Sequence, residues 1–391
     1  VGVRLLIRYP FKFETYGAVR IYDVTRTVSL YGIDFEKRHG AFGLTSENLT
    51  RIAESTAIVV PVKDEDPLVL EGVLRAVPLH SPLIVVSNSS TKPLDVYSNE
   101  VDIAKNIHQL SGRSVIVLHQ KDPLIAELLK SEVPDLIDES EGLVRDGKGE
   151  GLLIGTLAAE GINSKYVGYV DSDIYIPGAV LEYSLIYYTA LAMSRSPYKM
   201  VRISWGFKGW YGEEFLLRRW GRVSAVVSSV LNNALSKGRK FETDIIKTSN
   251  SGEHAMSIEL AKILGFASKY AIETYELVHL LETCYIGLRE GLCSALPNTI
   301  DILQVESRNP HLHVQKGELH ILEMLAESLG VIYHSRLADQ YIKNSILRIL
   351  REFSYEEEPP KPKTYEYPKI NARKFLDEIL SRSDVSIAHG F

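Results

Sequence analysis

Between Thr56 and about Ser204 the chain alternates short apolar runs with helix-length segments, and few folds accept that rhythm. AIVV (57–60), PLIVVS (82–87), SVIVLH (114–119), KYVGYV (165–170) and MVRISW (200–205) read as buried strands rich in Val and Ile. The stretches 67–76, 97–110, 123–131, 149–160 and 179–194 between them have helical spacing. Strand and helix in alternation imply an α/β fold, a mostly parallel sheet covered on both faces. Such sheets bind ligands beyond the carboxyl ends of their strands, so the residues just after each run are the first candidates for chemistry.

The flanks read differently. Residues 1–50 are expected as a β-rich extension (AVRIYDVTRTVSL), 51–245 as the core, and 246–391 as an increasingly helical remainder. Within that remainder Leu319, Leu322, Ala326, Leu329, Tyr333, Leu337 and Tyr341 recur in steps of three and four, which predicts one buried helix face over 318–352. EEEPPKPK (356–363) reads as a Pro-rich charged linker before a short helix around 371–382.

Composition narrows the class. With 45% apolar and 24% charged residues the chain is neither disordered nor collagen-like. Its net charge of −6 offers no overall positive field, so no nucleic-acid partner is expected. Cys284 and Cys293 are too few for a disulfide framework or a four-thiolate zinc site. Arg4, Arg8 and Lys12 interrupt the N-terminal apolar run, and Tyr183–Met193 is far short of a membrane span, so a cytoplasmic, membrane-free protein is expected. Scarce Gln, Cys and Met (5, 2 and 4) would suit a heat-adapted source.

The strand ends carry the candidate chemistry. YVGYVDSDIYIPGA places Asp171 and Asp173 directly after an apolar run, where two carboxylates suit a hard divalent cation shared with nucleotide phosphates. Chance alone gives about 0.7 Asp-x-Asp matches in such a chain, and Asp64/Asp66 is a second one. The competing explanation is capping of the helix that starts near Ile176. RDGKGEG (145–151) precedes a helix and offers backbone N–H groups and Lys148 to a phosphate, although it is neither a P-loop nor a dinucleotide fingerprint. In NPHLH (309–313) two histidines at i and i+2 are expected on opposite sides of an extended loop, one for a metal and one for a substrate. Trp205, Trp210 and Trp220 fall in one stretch with Lys208, Arg218, Arg219 and Arg222, a pattern suited to a sugar face and an anion. NSGEHAM (250–256) reads as a loop capping a helix, with Glu253 in the first turn; its alternative use is a sugar hydroxyl.

Taken in order, IVVPVKDE, EGVLRAVP, IVVSNSS, HQKDP, LVRDGKGEG, YVGYVDSDIYIPGAV, MVRISW, RRWGRVS, SGEHAM, NPHLH and IYHSRLA resemble the mannosyl-3-phosphoglycerate synthases, retaining glycosyltransferases of the GT-A fold. The resemblance implies transfer of mannose from GDP-mannose to the 2-hydroxyl of 3-phosphoglycerate. It implies that Pro61, Val62, Lys63 and Glu65 hold the guanosine, with Glu65 on the ribose, and that Asn88 and Lys148 flank nucleoside and diphosphate. Asp171 would reach the ribose or a metal-bound water, Asp173 and His311 would ligate Mg²⁺ (Mn²⁺ as the alternative), and Glu253 would grip mannose hydroxyls. Gly221, Arg222 and Ser224, helped by His313, would bind the phosphoglycerate, and a homodimer is implied. Segment 206–217 departs from the family pattern. Three rival readings are a UDP- or GDP-glucose donor, a sugar-1-phosphate nucleotidyltransferase and a non-enzymatic sugar-nucleotide sensor. PVKDED after the first strand lacks the glycines that the second usually shows.

Overall fold

A computed structural model describes residues 5–29, 40–206, 222–287, 293, 299–313 and 317–390. Among the described residues five short strands come first: β1 (Leu6–Arg8), β2 (Phe13–Tyr16), β3 (Val19–Tyr22), β4 (Thr25–Ser29) and β5 (Ala41–Gly43). Helix α1 (Ser46–Glu54) leads into the alternating part: β6 (Thr56–Val62), α2 (Pro67–Ala76), β7 (Leu83–Ser87), α3 (Val96–Ser111), β8 (Val115–His119), α4 (Pro123–Leu129), α5 (Lys148–Gly161), β9 (Tyr166–Tyr169), α6 (Pro177–Met193) and β10 (Lys199–Trp205). Helix α7 (Arg222–Arg239) follows, then β11 (His254–Ser257), α8 (Ile258–Leu264), β12 (Phe266–Ala267), α9 (Ala271–Leu281) and β13 (Ile300–Ser307). The C-terminal part holds α10 (Glu318–Tyr333), α11 (Gln340–Glu352), β14 (Thr364–Tyr365), α12 (Ala372–Arg382) and β15 (Ile387–His389).

The five apolar runs become β6 to β10, because continuous Val/Ile stretches can be buried on both faces of a sheet. One sheet runs in the order β15-β8-β7-β6-β9-β11-β10-β13-β4-β1-β5. Strands β8, β7, β6 and β9 pair in parallel; β11 lies antiparallel between β9 and β10, and β13 is parallel to β10. Strands β6, β7, β8, β9, β10 and β13 therefore all point their carboxyl ends to one edge, and β11 starts there. Two buried clusters cover the faces, one around α5, α7 and α9, the other around α2, α3 and α6. Helix α5 approaches so closely that a Cβ on Gly155 would sit 2.5 Å from Val59 of β6.

Two expectations need correction. The periodicity over 318–352 is split: Asp339 caps a second helix by accepting from the Ile342 N–H, and Leu319 and Tyr341 are exposed. The inner face of the first helix is Leu325, Ala326, Leu329 and Ile332. Segment 356–363 is no free linker; Pro359 is buried, its carbonyl meets His334 Nε2 at 2.8 Å, and the Pro360 carbonyl packs against Gly330. Cys284 and Cys293 form one disulfide. Among the described residues no helix is long and apolar enough to cross a membrane.

Candidate functional site

The carboxyl edge gathers side chains from every strand that ends there. After β6, Asp64 adopts a left-handed φ of 51°, donates its N–H to Ser89 Oγ (2.6 Å) and accepts from the Ser90 N–H (2.9 Å). Asp66 caps α2 through the N–H groups of Leu68 and Val69. The Asp64/Asp66 match is thus a turn brace and a helix cap. Asn88 follows β7, donates its backbone N–H to the Val62 carbonyl (2.8 Å), and its Nδ2 donates to Asp146 Oδ1 (3.0 Å). Pro61, Val62, Lys63 and Glu65 line the same β6 end, with Val62 buried and Lys63 exposed.

RDGKGEG is clamped from β8: Gln120 Nε2 donates to the carbonyls of Arg145 (2.6 Å) and Gly147 (3.2 Å). Its Lys148 is the first residue of α5, so the phosphate candidate stands on a helix N-terminus. Glu150, two residues on, is buried; it accepts from the Lys269 N–H (3.0 Å) and from the Tyr365 hydroxyl (2.7 Å), which ties this turn to the C-terminal segment.

Lys148 Nζ lies 2.6 Å from Asp171 Oδ1 and 2.8 Å from Glu273 Oε1. Burial alone would pull its pKa down, but the two carboxylates outweigh that and hold it well above the ordinary lysine value. Glu273, from α9, also accepts from Asn250 Nδ2. Gly252 closes over this group: a Cβ there would stand 2.6 Å from Asp171 Oδ2 and 2.9 Å from Lys148 Nζ. The N-cap of α6 is Ile176, which supplies no side-chain cap bond.

A second chain of contacts runs across β9, β10, β11 and β13. Glu253 precedes a strand rather than opening a helix, so the helix-dipole explanation fails. Its Oε2 accepts from Trp205 Nε1 (2.9 Å), and the Trp205 ring stacks on His311 (centroids 4.7 Å, 25° apart). His311 is buried, with Nδ1 3.1 Å from the Tyr183 hydroxyl. The β-bridge between Ile174 and His313, with the Tyr175 N–H donated to the Leu312 carbonyl (2.9 Å), lays the Asp-Ser-Asp turn beside the histidine loop. The two histidine rings do not diverge, because side chains two residues apart on extended backbone share a face: their centroids are 5.3 Å apart, His311 inside and His313 exposed.

Glutamate 182 of α6 holds that loop. Fully buried, it accepts from the N–H groups of Arg308 (2.7 Å) and Asn309 (2.8 Å) and from Asn309 Nδ2 (2.7 Å). Under the Glu253 loop lies a second buried network. Arg202 Nη1 meets Glu276 Oε2 (2.5 Å), Glu276 Oε1 meets His254 Nε2 (2.8 Å), and His254 Nδ1 faces the carbonyls of Ser251 (3.1 Å) and Gly252 (3.0 Å). Burial pushes the Glu276 carboxyl up, yet His254 and Arg202 outweigh it and leave its pKa below the ordinary range. Sequence reasoning missed Glu182, Glu273, Glu276 and Gly252; glutamates inside helices carry no signal that they face inward.

The residues expected to hold a metal, Asp173 and His311, lie on the Asp-Ser-Asp turn and the histidine loop that the Ile174–His313 bridge joins. With Nδ1 engaged by the Tyr183 hydroxyl, Nε2 is the ring nitrogen that a cation would use. Among the described residues no cluster of three or more His, Cys, Asp or Glu donors occurs. Two protein donors fit a hard cation that takes its remaining ligands from phosphate and water. Of the residues expected to meet the acceptor, Ser224 in the first turn of α7 donates to the Asn250 carbonyl (3.2 Å), and Arg222 opens that helix. Gly221, Lys208, Trp210, Arg218, Arg219 and Trp220 lie outside the described residues.

A family model described as mannosyl-3-phosphoglycerate synthase matches residues 9–379. The chain is 44% identical over 383 residues to the mannosyl-3-phosphoglycerate synthase of Aeropyrum pernix, covering 98% of this chain and 99% of that protein. It is 38% identical over 384 residues to the one from Pyrococcus furiosus, covering 96% and 95%. A solved glucosyl-3-phosphoglycerate synthase from Mycobacterium tuberculosis, in complex with Mn²⁺, UDP and glucosyl-3-phosphoglycerate, is 20% identical with a TM-score of 0.48, covering 75% of this chain and 85% of that one.

Proposed function

This chain belongs to the mannosyl-3-phosphoglycerate synthase family, and we propose that it transfers mannose from GDP-mannose to the 2-hydroxyl of 3-phosphoglycerate with retention at the anomeric carbon. The observation that carries this reading is the convergence, at one sheet edge, of the Lys148–Asp171 pair with the Glu253–Trp205–His311 chain. A cationic group for a diphosphate, on the first turn of α5, and an acidic group for sugar hydroxyls, just before β11, then lie at the same sheet edge.

In this reading Pro61, Val62, Lys63 and Glu65 hold the guanosine beside Asn88, while Lys148 and the N-terminus of α5 meet the diphosphate. Glu253 accepts from mannose hydroxyls, its carboxylate aimed by Trp205. Asp173 and His311 hold a divalent cation, Mg²⁺ or Mn²⁺, which when bound neutralises charge on the departing diphosphate. Asp171, already paired with Lys148, takes the ribose or a cation-bound water. The first turn of α7, with Gly221, Arg222 and Ser224, binds the acceptor's phosphate and carboxylate, helped by His313.

The bond from C1 to the diphosphate oxygen breaks, and a bond from C1 to the acceptor oxygen forms on the same face. The hydroxyl proton passes to the departing phosphate, and the site's contribution is alignment of the two substrates. A cytoplasmic homodimer is part of the reading on family resemblance, and light scattering of the purified chain tests the assembly.

The decisive experiment is product formation from GDP-mannose and 3-phosphoglycerate with Mg²⁺ or Mn²⁺, beside UDP-glucose, GDP-glucose and a chelator control. Mannosyl-3-phosphoglycerate formed only with metal supports the reading. Equal or greater transfer from a glucose donor replaces it with a glucosyltransferase, and no transfer from any sugar nucleotide overturns it.

A further inference from the structure

We infer that Asp146 reads the base of the donor and selects guanine over uracil. The inference rests on the reading above, in which the nucleoside lies at the ends of β6 and β7. Asp146 stands at that corner, on the loop leading into α5, with its side chain 60% exposed. Its Oδ1 is fixed from both sides, accepting from Asn88 Nδ2 at 3.0 Å and lying 3.4 Å from Lys121 Nζ. Lys121 is anchored in turn by Glu141 at 2.8 Å. Both contacts go to one oxygen, so the carboxylate's direction is set while Oδ2 is bonded by neither.

Partial burial pushes the Asp146 carboxyl up, but Asn88, Lys121 and Lys63 outweigh that and hold it below the ordinary aspartate range. It is therefore an acceptor without a proton at neutral pH. Guanine presents two adjacent donors on its Watson–Crick edge, N1–H and the 2-amino group, which converge on the one oxygen that Asn88 and Lys121 leave unbonded. Uracil presents a single N3–H between two carbonyl oxygens, and those oxygens oppose a negative charge. A fixed carboxylate thus discriminates by attraction to one base and repulsion of the other. Lys121 acts as a positioning residue, since it orients Asp146 and reaches the base only through it, while Asn88 orients Asp146 from the nucleoside side.

Calorimetric titration of the full chain with GDP, IDP, XDP and UDP tests this, using the wild type and Asp146→Asn. Wild-type chain should bind IDP, which lacks the 2-amino group, at least tenfold more weakly than GDP. In D146N, GDP should weaken at least tenfold and XDP, which carries a carbonyl in place of that amine, should strengthen, while UDP loses no affinity. A guanine preference that survives unchanged in D146N overturns the inference and leaves the donor reading standing. Wild-type chain that binds GDP and UDP alike overturns both. Thermal unfolding of D146N guards against misfolding; if the variant does not fold, the wild-type IDP comparison decides, and equal affinity for GDP and IDP overturns the inference.

Discussion

Lys148 sits between Asp171 and Glu273, and removing it leaves two carboxylates facing each other with Glu273 buried. Lys148→Met is expected to abolish transfer and to destabilise the fold by ~3–5 kcal/mol, the cost of stranding one side of a buried ion pair; chemical denaturation beside the activity assay checks it. Gly252→Ala acts on the same group from above. Its Cβ would overlap Asp171 and Lys148, so we expect donor binding to fall at least tenfold with only ~1–3 kcal/mol lost from stability. Glu276 gives a pH signature. Because its folded pKa is depressed, its contribution is complete above the unfolded value of about 4.3 and is lost as pH falls through the lower folded value. In Glu276→Gln, melting temperature measured from pH 7 down to 3 should start lower and show a flatter acid limb than the wild type.

At the scale of elements, helix α6 does more than cover the sheet. Glu182 grips the backbone of the loop that carries His311, and Tyr183, the next residue, meets the His311 ring. Glu182→Gln is expected to weaken Mn²⁺ binding roughly 10–100-fold, read by electron paramagnetic resonance of the free cation, while the far-ultraviolet circular dichroism stays unchanged. This helix also shows what sequence can and cannot reveal. Its length and position were legible from spacing, and so were β6 to β10, because two-sided burial leaves long β-branched runs. Strand β11 was not, since four residues reading His-Ala-Met-Ser have no such run, and the neighbouring Glu253 therefore reads as the first turn of a helix. The Asp-Ser-Asp, Lys-Gly-Glu and Asn-Pro-His segments were legible as single motifs, but the contacts joining them are not. Trp205 reaches Glu253 and Lys148 reaches Glu273 only because β11 runs between β9 and β10 and α9 packs below.

For the whole molecule, the C-terminal segment is part of the core. Tyr365 holds Glu150 on the first turn of α5, Tyr367 holds Glu160 near its end, and α12 lies so close that a Cβ on Gly161 would meet the Ala372 carbonyl at 2.7 Å. Ending the chain after Pro362 should therefore lower the melting temperature by more than 10 °C or yield insoluble protein, whereas Tyr365→Phe should cost ~1.5–3 kcal/mol, the range for a bond to a charged group. Strand β15 completes the same wrapping by pairing with β8, where Ser386 Oγ meets the His119 N–H across 267 residues of sequence. That distance is also a delay. At ~10 residues per second, a ribosome needs roughly half a minute between making β8 and making the strand that covers it. Throughout that interval the nascent chain carries an open row of backbone donors and acceptors, and the hazard of mispairing falls on synthesis rather than on the finished protein.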